Sequence, residues 1–382
     1  MRWVYPLKNK LGWQQWLLVG FGFALLGCST GPERPSPSPL PQVAESAIKI
    51  QPSWRANLGA TVEATRAQVS GGQIALASDA GRLEVRQASD GKQLWQLDIP
   101  QGISAGVGFD GRTAVVVDSN NRLTAAVQGE VVWRQTLDAK VFTPPLVVAG
   151  RVFVITGARH VFAFDAANGA RLWKHTFSGE PLALRAPLFL GAYQNSVMAG
   201  LAENLVALRP DNGQAFWSVS MARPRGATEI ERLSDIVAGA FASGDAICAR
   251  AFQLSVACAS LAKGQRLWAQ EDEGHTGLAG DDTRVFGSNS NGVLKAWQLE
   301  SGDLLWQQDA LKFRQLSAPV SLGQTIAVGD VEGYVHWVSK SNGQVLARVP
   351  TDGSPVVGAP LLVNQTLIAV TAKGGVFAWQ PE

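Results

Sequence analysis

Apolar residues along this chain come in runs of five to seven, bounded by turn-forming residues every 8 to 12 positions, with no stretch of helical period. One unit shows the pattern in full. Thr143 to Val148 is apolar and reaches a turn at Ala149-Gly150, and Arg151 to Thr156 and His160 to Asp165 follow as near-continuous apolar runs. Strands covered on both faces read this way. Asp165 to Gly169 has turn chemistry: Asp and Asn bond their own backbone and glycine supplies positive φ. Arg171 to Phe177 then closes the unit as a fourth strand. Four strands in succession predict a small antiparallel sheet.

The unit recurs. Glycine, three residues and tryptophan appear as Gly91/Trp95, Gly129/Trp133, Gly169/Trp173, Gly213/Trp217, Gly264/Trp268 and Gly302/Trp306. A seventh copy keeps Gly343 and has Ala347 in place of the tryptophan, and Trp54 stands ahead of the first copy without a glycine. Steps of 41, 38, 40, 44, 51, 38 and 41 residues match the period of a four-stranded propeller blade. A tryptophan on an outer strand can bury its ring against the adjoining blade, given one partner for its indole N–H. After Ala347 the chain has room for three strands, Val357–Val363, Thr366–Thr371 and Gly375–Gln380, whereas Ser53–Leu58 carries the tryptophan of a fourth strand with no blade before it. Joining the two predicts an all-β, eight-bladed propeller of four-stranded antiparallel blades, closed by residues 53–58 pairing with 375–380. Closure also removes two aggregation-prone edges.

The N-terminus stands apart from these repeats. Arg2, Lys8 and Lys10 precede the apolar run Trp16–Gly27, too short to span a bilayer comfortably, so residues 1–27 read as a signal peptide. The run ends Leu25-Leu26-Gly27-Cys28, which resembles a bacterial lipobox with Cys28 as the lipid-bearing residue; Ser29 in place of aspartate favours the outer membrane. Without the signal, thirty basic residues face thirty-one acidic ones, so the basic character of the whole chain implies no nucleic-acid partner. Five prolines between positions 32 and 41 favour polyproline II, so residues 28–50 read as a lipidated tether and 51–382 as the propeller.

Chemistry is sparse. His160, His175, His275 and His336 fall in different repeats without metal-ligand spacing, and there is no nucleophile elbow, phosphate loop or dinucleotide glycine pattern. Asp90, Asp165 and Asp211 are explained as turn formers. No catalytic residue, metal or cofactor is expected. Cys248 and Cys258 flank a hairpin: a three-residue loop, 252–254, sets them opposite one another for a disulfide, and a two-residue turn sets them on opposite faces.

The repeat Asp165 to Trp173 is similar to the tryptophan motif of quinoprotein-dehydrogenase-like propellers, shared by pyrroloquinoline-quinone dehydrogenases and the BamB family of outer-membrane assembly lipoproteins. The chain resembles the BamB family from the lipobox onward, with Ala227–Asp235, Leu316–Pro319 and Val328–Trp337 as further matches. The dehydrogenase alternative lacks its adjacent cysteine pair here, and an adhesin-like propeller is a third reading. The BamB resemblance implies a non-enzymatic scaffold at the periplasmic face of the outer membrane. Its partner would be the POTRA domains of BamA, with unfolded outer-membrane proteins as a further ligand. By that resemblance Leu182, Leu184 and Arg185, in Pro181–Arg185, and Asp235 are partner-binding residues, although Val237 stands where the family often has a second acid. Strand counting puts 178–187 and 221–237 on one rim, and the second lies in the longest step of the repeat.

Overall fold

Every secondary-structure element described in the computed structural model is a strand. It describes residues 35–43, 48–59, 61, 67–177, 187–223, 234–237 and 239–381. Thirty-two strands form eight four-stranded antiparallel sheets, and seven of these are built from consecutive strands. The eighth takes its outer strand, Ile50–Asn57, from the other end of the chain, paired antiparallel with Gly375–Pro381. This is the closure the orphan Trp54 predicts: Trp54 lies opposite Ala378.

Burial follows the ring. The two middle strands of a blade are buried along most of their length, as in Thr113–Asp118, whereas outer strands such as Arg171–Thr176 have one wet face. Each of eight apolar clusters lies between two neighbouring blades, so there is one core per seam and no single centre.

The glycine–tryptophan spacing encodes the seam. Glycine closes the turn into the outer strand of its own blade; the tryptophan reaches forward to the same turn of the next blade. Trp133 donates its indole N–H to Ala166 O at 2.8 Å, and a Cβ on Gly169 (φ +74°) would sit 2.7 Å from its ring. Trp54, Trp173, Trp217, Trp268 and Trp306 do the same to Ala88, Pro210, Leu261, Leu299 and Lys340. Glycine is needed here for both positive φ and close approach.

A bulge aims each ring. In blade three Trp173 pairs with Ala163 and Arg171 with Phe164, so Leu172 is skipped. The skipped residue turns outward, which accounts for the exposed Leu94, Val132, Leu172, Phe216, Leu267 and Leu305. Ala347 marks the seam where this device has no target. Blade eight receives its outer strand from the N-terminus and so has no turn of this kind for a tryptophan to cover. Trp337 and Trp379, edge to face at 6.1 Å, fill that seam together with Ile48 and Ile50.

Residues before the first strand differ from the expected extended tether. Ser38, Pro41 and Val43 lie against blades six and seven, and the strand itself starts at Ile50. A polyproline segment makes no hydrogen bonds of its own. Its carbonyls are therefore free to accept from arginines on the propeller.

Candidate functional site

In a four-stranded meander, the connection between blades and the hairpin between second and third strands lie on the same rim. On that rim the connection leaving blade four carries Asp235, Ile236 and Val237, and the segment entering blade four carries Leu188 and Phe189. The two are joined by an antiparallel bridge, Leu188 to Val237, and Phe189 N–H donates to Ile236 O at 3.0 Å. Strand counting had set these connections side by side, and their described ends are hydrogen-bonded to one another.

Asp235 is the knot of this arrangement. Its Oδ1 accepts from Arg159 Nη1 at 3.3 Å and from Ala202 N–H at 3.1 Å, and its carbonyl accepts from Phe252 N–H at 3.0 Å. Thus one residue touches the second-to-third-strand turns of blades three, four and five. It is fully buried, and Arg159 nearly so. The carboxylate is turned inward, where it holds the base of the connection. Removing one member of such a buried pair takes a charge partner from the other, at a cost of about 3–5 kcal/mol. Val237, also buried, donates its N–H to Arg250 O at 3.0 Å, so an apolar residue suits this position. Leu182, Leu184 and Arg185 lie outside the described residues, as does Cys28.

Two further buried arginines continue the pattern along the rim. Arg250 meets Asp272 at 2.5 Å, and Lys295 meets the same carboxylate at 2.6 Å. Burial draws the Arg250 guanidinium below its ordinary pKa, against the attraction of Asp272. Arg314 meets Asp330 at 2.7 Å and also pairs with Glu332, while His336 Nε2 stands 2.8 Å from Asp330. Burial pushes the Asp330 carboxyl up, but hydrogen bonds and charge from His336 and Arg314 hold it below its ordinary value. Sequence reasoning missed these pairs, because each arginine and its acid are distant or unremarkable in the repeat.

Cys248 and Cys258 sit directly opposite across the three-residue loop and are joined by a disulfide, buried between blades five and six. Among the described residues, no three histidine, cysteine or acidic side chains converge as a metal site would need.

Fold and rim together define an eight-bladed, tryptophan-latched propeller whose long connections converge on one face. The sequence pattern of the family described as "Outer membrane protein assembly factor BamB" matches residues 79–308 and 290–381. The chain belongs to this BamB family. A BamB of Burkholderia pseudomallei is 34% identical over 92% of this chain and 93% of its own length. One from Bordetella pertussis is 32% identical over 96% and 98%. The crystal structure of BamB from Moraxella catarrhalis superposes with a TM-score of 0.80 at 25% identity, covering 87% of this chain and all of that one. A quinohemoprotein alcohol dehydrogenase from Pseudomonas putida shares the propeller at 14% identity (TM-score 0.66; 88% and 77% covered), a likeness of fold alone.

Proposed function

We propose that this chain is a non-enzymatic scaffold of the outer-membrane β-barrel assembly machinery, anchored through a lipid on Cys28 and facing the periplasm. In this reading it binds the POTRA domains of BamA through the rim formed by residues 178–187 and 221–237. The observation that carries the reading is the Leu188–Val237 bridge, clamped by Asp235, which joins the described ends of the two candidate connections. Leu182, Leu184 and Arg185 would make the contact from that platform, and Asp235 would hold it in shape. Long connections on a rigid scaffold are where binding concentrates. Membership of a family named for outer-membrane protein assembly supports the same direction.

Arg185→Glu tests it. Binding to the POTRA domains should fall at least tenfold while the melting temperature stays within about 2 °C, because a rim charge governs association more than stability. Unchanged binding with a sharply lowered melting temperature would make Arg185 structural and remove the assignment.

A further inference from the structure

Ser36 to Val43 runs from one rim of the ring down the outside of blade seven. At its start Ser38 donates its N–H to Lys312 O at 3.0 Å and its hydroxyl to Ala310 O at 2.9 Å. Arg314 Nη1 donates back to Ser38 O at 2.8 Å. Residues 310–314 belong to the connection between blades six and seven, on the same rim as the Leu188–Val237 bridge. Further along, Arg348 Nη1, on the outer strand of blade seven (Val345–Pro350), donates to Pro41 O at 3.1 Å. Val43 then packs against the blade six–seven core, and Ile48 and Ile50 fill the seam that lacks a tryptophan latch.

Exposure supports this path. The bulged apolar residue of the outer strand is exposed in blades one to six, but its counterpart Leu346 is half-buried, in the one blade that the segment crosses. Arg314 is not an opportunistic partner, since it is buried and fixed by Asp330 and Glu332 before it meets Ser38.

We propose that Ser36–Val43 is a docked strap that sets where the N-terminal tether leaves the propeller: over the blade six–seven connection, on the rim that carries the bridged loops. The proposal rests on the reading of Cys28 as the lipid-bearing residue for its second half, which concerns the membrane. A tether free from Cys28 to Pro52 would reach roughly 70 Å and let the propeller tumble. With the strap docked, only the eight residues from Cys28 to Ser36 remain, a reach of at most about 29 Å. The blade six–seven sector of that rim is then held toward the lipid surface, and the opposite rim, with Asn364, is turned away.

The test uses the full chain on vesicles of phosphatidylethanolamine and phosphatidylglycerol. Spin labels at Ser36→Cys and Leu305→Cys should give one narrow distance distribution, both on vesicles and in the Cys28→Ser form in solution. Arg348→Gln should broaden it, and Arg314→Gln combined with Arg348→Gln more so, with folding checked by the melting curve. Arg348 also lies over the Tyr334 ring at 5.5 Å, but its single variant leaves the buried Arg314–Asp330 pair intact and so keeps the test readable if the double variant fails to fold. A broad distribution in the unmodified chain overturns the strap. Separately, a dye at Lys312→Cys should be quenched at least threefold more by headgroup-borne quenchers than one at Asn364→Cys. Equal or reversed quenching overturns the orientation. Membrane attachment that survives Cys28→Ser removes the anchor reading and the membrane half of the proposal, while the strap distance still reports on the first half.

Discussion

At the scale of single residues, the seam tryptophans carry the ring and their immediate neighbours do not. Trp133 is buried against Gly169 and bonded to Ala166, whereas Leu172, one position before the next latch, is bulged into solvent. Trp133→Ala should cost about 3–5 kcal/mol in urea denaturation. Leu172→Ser should stay within about 0.5 kcal/mol of the parent. The repeat announces the tryptophan and the glycine but not the bulge, because a skipped residue leaves no mark on the alternation around it. A second residue-scale expectation concerns acid. Burial depresses the pKa of His336, Arg314 and Arg348 depress it further, and Asp330 only partly compensates. Nδ1 of its ring has no hydrogen-bond partner. Because the ring is harder to protonate in the folded state than in the unfolded one, unfolding takes up a proton as pH falls below about 6.5. Stability should therefore drop as pH falls below about 6.5, by up to about 1.4 kcal/mol per pH unit from this group. His336→Gln should flatten that slope in calorimetric scans; an unchanged slope would place the titration elsewhere.

At the scale of elements, the eighth blade is the informative one. Its composition was legible because Trp54 had no blade before it and the three strands after Ala347 had no fourth. The structure adds why the seventh tryptophan is lost: a latch needs a turn to cover, and a blade completed by the other terminus has none. Deleting residues 49–58 removes buried Leu58 and the ring of Trp54 and bares the edge of Gly375–Pro381. A loss of at least about 3 kcal/mol is expected in equilibrium unfolding. A deletion variant that melts with the parent would show the closure to be dispensable. The strap was not legible. Alternating proline and serine read as a chain with nothing to bury, and what holds it is a pair of arginines some 270 to 310 residues downstream, which no local pattern connects to it.

At the scale of the molecule, the candidate site was legible as a place and not as a set of contacts. Strand parity and loop length put two connections on one rim. The partner of Asp235, however, lies 76 residues upstream in another blade's turn, so the acid read as a surface charge. On the function proposed above, Asp235→Ala should lower both POTRA affinity and stability, the latter by about 3–5 kcal/mol, because a buried carboxylate is removed from its pair with Arg159. Arg185→Glu should lower affinity alone. Measuring both properties for both variants separates the clamp from the contact surface. Closure by the N-terminal strand has one more consequence, in time rather than space. Of the described strands, the one that completes the last blade is the first synthesised, and its partner, Gly375–Pro381, is the last. Seven blades can form as the chain lengthens, but the ring cannot shut until its final residues exist. A chain stopped short of them keeps an unpaired strand at each end, an open circle displaying the edges that chaperones and proteases recognise.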